Sequence, residues 1–69
     1  MKLSKNQIKK MSPGQVLTVV CDNIPELDSV YQVALQARKE ISDKDIGISR
    51  STKTMSVCIR VTEKEVTDG

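Results

Sequence analysis

Residues 55–62, MSVCIRVT, alternate without a break. Met55, Val57, Ile59 and Val61 fall on one face of an extended chain, and Ser56, Cys58, Arg60 and Thr62 fall on the other. Period-two alternation predicts a strand over 55–62 with one apolar face and one mixed face. It is the longest and most regular strand pattern in the chain, so its expected place is the middle of a sheet. Just upstream, Ser51-Thr52-Lys53 reads as a hairpin turn, and Ile46-Gly47-Ile48 begins a short strand over 46–50.

Further outward, apolar residues recur with helical spacing at Leu27, Val30, Tyr31, Ala34, Leu35 and Ile41. This predicts the main helix over 25–41. Asn23 with Glu26 fits a capping box, while Pro25 in the first turn pushes Ile24 out of helical geometry, so either Asn23 or Ile24 can be the cap. Glu26 and Asp28 sit near the positive end of the helix dipole, Arg38 and Lys39 near the negative end. Gln15 to Cys21, QVLTVVC, is β-branched and uncharged and predicts a strand over 15–21. Leu17, Val19 and Cys21 point one way; Val16, Thr18 and Val20 point the other. Ser4 with Gln7, and Leu3 with Ile8, carry the spacings of a capping box and a hydrophobic staple. They predict a short helix over 4–11, stopped by Ser12-Pro13-Gly14. Ser42-Asp43-Lys44 is a connection, and 63–69 is a polar tail.

The fold class expected is therefore α+β, one small domain over 1–69. A short N-terminal helix precedes a β-α-β-β unit, whose three-stranded sheet carries the main helix on one face. Leu27, Val30, Tyr31, Ala34 and Leu35 should pack on Leu17, Val19, Ile48, Val57 and Ile59. The second sheet face would present Val16, Thr18, Val20, Cys58, Arg60 and Thr62. The N-terminal helix has two open placements: beside the main helix, or across that second face through Leu3, Ile8 and Met11.

Composition narrows the function. The chain has 69 residues, too few for a catalytic domain and a binding domain together. It has no His, which removes the commonest metal ligand and general base. Its two cysteines fall short of a zinc pattern or a disulfide scaffold. Cys21 and Cys58 lie on opposite faces by phase and should not pair. Pro13-Gly14 lacks the spacing of a phosphate loop. The carboxylates Asp43, Asp45, Glu63 and Glu65 read as loop and tail solvation. Net charge is +2, short of a nucleic-acid arm. No apolar run approaches the roughly 20 residues of a membrane span. No apolar segment follows Lys2 and Lys5 as a signal peptide would require. The expectation is a cytoplasmic protein that is not an enzyme, with no cofactor, metal, membrane contact or small-molecule substrate.

The half-apolar second face, with Arg60 at its centre, resembles interface composition, where Arg is enriched. A protein partner or a homo-oligomer is the first expectation, with Val16, Thr18, Val20, Cys58, Arg60 and Thr62 as contact residues. A second expectation is nucleic-acid binding through Lys5, Lys9, Lys10, Arg50 and Lys53, together with Lys2. The ordinary reading of those cations is a solvated helix face and a solvated turn. A third is a thiol carrier on Cys21, whose ordinary reading is a small buried hydrophobe ending a strand.

The stretch IKKMSPGQVLTVVCDN, residues 8–23, resembles part of the TusA-like sulfur-carrier family. The shared features are a helix, a Lys-Met-Pro-Gly type turn, a Val-Leu-x-Val strand and an acidic corner. The resemblance implies a second helix and two further strands. In that family a Cys-Pro-x-Pro motif opens the first helix and its Cys carries a persulfide. Residues 1–8 here contain no Cys and no such motif, so no family site carries over. The strand–helix–strand–strand core is also similar to dodecin, which stacks flavin on Trp. This chain has no Trp. The Lys-rich start, the opening KKMSPGQVLTVVCDN and the terminal hairpin are similar to small accessory proteins of Bacteroidetes phages and mobile elements. That likeness implies a phage accessory or virion role, in the host cytoplasm or the virion.

Overall fold

Local chemistry sets where each element begins. The computed structural model describes residues 3–64, so Lys2, Glu65 and the rest of the expected tail lie outside the described residues. The first helix, α1, spans Lys5–Lys9. The Ser4 backbone N–H donates to Gln7 Oε1 at 2.8 Å, and the Gln7 N–H donates to Ser4 Oγ at 3.4 Å. That is a reciprocal capping box. The helix is shorter than the 4–11 expected, because Ser12-Pro13-Gly14-Gln15 turns the chain at once. The Gln15 N–H donates to Ser12 O at 3.0 Å, and Gly14 has φ +94°. Pro second and a left-handed Gly third make a type II turn.

The same Gly14 starts the sheet. Its N–H donates to Val61 O at 2.8 Å, while the Val61 N–H donates to Gln15 O at 3.0 Å. Two residues thus face one, a glycine bulge, and the regular strand β1 follows as Val16–Val20. At the far end the Cys21 N–H donates to Met55 O at 2.7 Å.

The main helix, α2, spans Ile24–Glu40, one residue earlier at each end than the 25–41 expected. Asn23 is the cap: its Oδ1 accepts the Glu26 N–H at 2.9 Å. Ile24 is inside the helix. The fully buried line is Leu27, Val30, Ala34 and Ala37, while Tyr31 and Leu35 flank it half-buried.

Strand β2 spans Lys44–Ser51 and β3 spans Ser56–Glu63. β2 extends past the expected 46–50 at both ends, and β3 starts one residue later and ends one residue later than the expected 55–62, because the ladder continues through Asp45↔Thr62 to Lys44↔Glu63. Ser51 belongs to the strand and faces Ser56, so the hairpin loop is residues 52–55 rather than 51–53. Met55, with φ +52°, closes the loop in the left-handed region and stands outside the strand.

The three-stranded sheet has the order β1-β3-β2, with both pairings antiparallel. The alternating strand does lie in the middle. Leu17, Ile59 and Ile48 form one cross-sheet row on the face that α2 covers; Val19, Val57 and Arg50 form the next. The core combines the apolar members of these rows with Ile46, Val61, Cys21, the α2 line, and Leu3, Ile8 and Met11 around α1. Each fully buried aliphatic side chain contributes roughly 1.5–3 kcal/mol relative to exposure.

Of the two placements open to α1, the helix takes the one beside α2. Lys5 Nζ lies 2.7 Å from Glu40 Oε2, and Lys9 Nζ lies 3.3 Å from Glu40 Oε1. Lys44 Nζ donates to Lys9 O at 2.9 Å and to Met11 O at 2.7 Å, satisfying carbonyls at the end of α1.

Candidate interaction face

With α1 beside α2, the described residues leave the second sheet face uncovered. The register lines it in rows. Val16, Arg60 and Gly47 form one, Thr18, Cys58 and Ser49 the next, and Val20, Ser56 and Ser51 the third. Thr62 and Asp45 close one end. All six residues expected on this face are therefore on it. Val16 is 53% exposed and Val20 60%, and only Ile24 joins them as an exposed large hydrophobic among the described residues. Thr18, Arg60 and Thr62 are exposed, and Cys58, at the centre of the middle strand, is half-buried.

The contribution of β2 to this face was not read from the sequence. Asp45, Gly47, Ser49 and Ser51 supply its third strand. The alternation of Ile46 and Ile48 around Gly47 carried that signal, since inward isoleucines send their neighbours outward. The face is small-residued on this side, and Gly47 presents no side chain next to Arg60. Its two charges among the described residues are Arg60 and Asp45.

The cations expected to contact nucleic acid do not form one surface. Lys5 and Lys9 share Glu40. Hydrogen bonds from Lys5, then Lys9, lower the Glu40 carboxyl below its ordinary 4.5. Arg50 lies on the helix-covered side of β2, where its guanidinium stands 5.0 Å from the Tyr31 ring centroid and 2.6 Å from Asp28 Oδ1. Lys10 lies with Gln15 and Val16 at the start of β1, whereas Lys53 is in the 52–55 loop, whose Met55 O accepts the Cys21 N–H at the far end of β1. A phosphate backbone following Lys10 would leave Lys53 and Arg50 behind.

Cys21 is 4% exposed beneath the core, and Cys58 is on the other face; both are free thiols. A buried sulfur gives a carrier's partner no approach. Among the described residues no group of three or more His, Cys, Asp or Glu side chains could hold a metal. Among the described residues no helix is long and apolar enough to cross a membrane.

An open groove of about 410 Å³ lies between the end of α1 and the start of β1. Gln7, Lys10, Met11, Gln15, Val16 and Leu17 line it. Sequence reading did not find it, because α1 and β1 come together only through the turn at Pro13-Gly14. No protein-family model matches the chain, and no curated protein or solved structure is significantly similar to it.

Proposed function

We propose that this chain is a non-enzymatic protein-interaction module that assembles through its second sheet face. Val16 and Val20 are the apolar contacts, Thr18, Cys58 and Thr62 the small ones, and Arg60 the polar anchor. The observation that carries the reading is the exposure of Val16 and Val20 on a face that α1 could have covered and does not. Apolar side chains beside a single Arg match the composition of interface centres. The setting we favour is a phage or mobile-element accessory or virion protein, working in the host cytoplasm or in the particle.

The partner in the simplest form is a second copy. Arg60 and Asp45 on one face provide opposite charges for a symmetric pair, in which each residue meets the other's equivalent surface. Light scattering at two protein and two salt concentrations tests it. The expected mass exceeds the monomer and rises with concentration, and Arg60→Glu returns it to the monomer with the circular dichroism spectrum unchanged. A monomer under every condition would end the self-association form. Association that survives Arg60→Glu would move the contact off this face.

A further inference from the structure

We infer that the groove beside β1 docks an extended, acidic segment of a partner protein, which lies along the outer edge of β1 as an added strand. The site is distinct from the sheet face above, although Val16 borders both.

The sheet has two outer edges, and they differ. Along β2 the edge strand carries Lys44, Asp45 and Arg50, charges of the kind that discourage strand addition. Along β1 the strand is VLTVV, with no charge and no proline. Its only bulge, at Gly14, lies before the strand begins. Gln15 O and Cys21 N are both spent on β3. Antiparallel ladders alternate, so the N–H and C=O of Val16 and Thr18 point away from β3, toward the outer side. An extended backbone is the ligand that matches them, and strand addition is a recurrent mode of peptide recognition.

The groove next to that edge supplies the side-chain half of the site. Its apolar lining is Met11, Val16 and Leu17, and its volume falls within the range of about 300–1,000 Å³ seen for ligand sites. Its one charged lining residue is Lys10. Lys5 and Lys9 are committed to Glu40, but no carboxylate pairs with Lys10 among the described residues. An alternating apolar and acidic segment would set its apolar side chains against Met11 and Leu17 on one face and its carboxylates on the face of Val16, at the groove rim, where the exposed Lys10 is the charge for them to meet. A basic segment would meet Lys10 with like charge.

The test uses the full chain and a fluorescein-labelled heptapeptide alternating Val and Glu, with a Val and Lys counterpart. Fluorescence anisotropy should show saturable binding of the Glu peptide and none of the Lys peptide. Lys10→Glu should weaken the Glu peptide by about tenfold or more, the scale of a lost charge-assisted hydrogen bond, and admit the Lys peptide. Arg60→Glu should leave binding unchanged, which separates this site from the assembly face. Thr18→Pro removes one outward N–H while sparing the bonds to β3, and should abolish binding. Should that variant unfold, amide shifts in the wild-type chain decide. Shifts at Lys10, Val16 and Thr18 support the inference. Shifts centred on Cys58 and Arg60, equal binding of both peptides, or indifference to Lys10→Glu overturn it.

Discussion

Ile59 and Arg60 are chain neighbours on β3, and they end in different surroundings. Ile59 is fully buried between Leu17 and Ile48, under α2. Arg60 is exposed between Val16 and Gly47. The contrast repeats along the sheet. One face holds Val19, Ile46, Val57, Ile59 and Val61, all buried; the other leaves two valines exposed on β1. A strand's phase fixes which residues share a face, but it is the covering element that turns a face into a core. Here α2 covers one face, and the element that could have covered the other packs beside α2 through Leu3, Ile8 and Met11, with Glu40 and Lys44 bonding to it. The difference between the faces is thus a difference in docking as much as in composition.

The largest effect should come from truncating the covered face. Ile59→Ala should cost about 2–5 kcal/mol, through lost transfer energy and the cavity left behind. A single core of this size supplies only roughly 3–5 kcal/mol, so that variant should be largely unfolded. Thr18→Ala, on the open face, should change stability by no more than about 0.5 kcal/mol. Urea unfolding followed by circular dichroism compares the two, and equal losses would mean that the open face is covered after all.

Next comes the corner that sets the register of β1 against β3. Gly14→Ala meets open space, with nothing within 4 Å of an added Cβ, but φ is +94° there. The cost is therefore conformational, about 1–2 kcal/mol. The same urea experiment reads it. A neutral substitution would show that the turn can relax without moving Val61.

A smaller loss is expected at Lys44. Lys44→Met keeps the apolar stem and removes the hydrogen bonds to Lys9 O and Met11 O. It should cost about 1 kcal/mol, since the site is only half-buried. Amide exchange at Ile8 should speed up while Ile59 stays protected. Equal acceleration at both would mean that α1 and the sheet open as one unit.

The smallest effect is the acid dependence of the Glu40 cluster. Its carboxyl is lowered from the ordinary 4.5 in the folded chain by Lys5 and Lys9. The ionised form is therefore the one the fold favours. Its stabilisation is present above pH 4.5 and is lost as pH falls through the lowered folded value. Glu40→Gln should flatten that part of the stability-against-pH curve, and the difference should shrink in 1 M salt, where the Debye length is about 3 Å. A curve unchanged by the substitution would show that these exposed pairs hold α1 in place without adding stability.

Much of this was legible beforehand. The phase of MSVCIRVT put Val57, Ile59 and Val61 inside and Cys58, Arg60 and Thr62 outside, and every one is where that phase puts it. The caps at Ser4 and Asn23 lie where their spacing pointed. The turn-like neighbours of Arg50 point to a solvated tip, but Arg50 is a strand residue opposite Val57. The longer β2 instead turns it toward the helix layer, onto Tyr31 and Asp28. Ala37 adds little to an apolar stripe because it is small, yet its place on the line from Leu27 buries it completely.

What the sequence by itself determined is local. Strand phase, helix caps and the left-handed Gly14 follow from the chain's own dihedral preferences and from spacings of two to four residues. What only the tertiary structure decided is how the pieces cover one another. The placement of α1 brings Lys5 to Glu40 across 35 residues. Any of several carboxylates could serve a lysine equally well as far as pattern goes. The choice is made when Leu3, Ile8 and Met11 are buried against the main helix and the core, and with that choice one face of the sheet is left open.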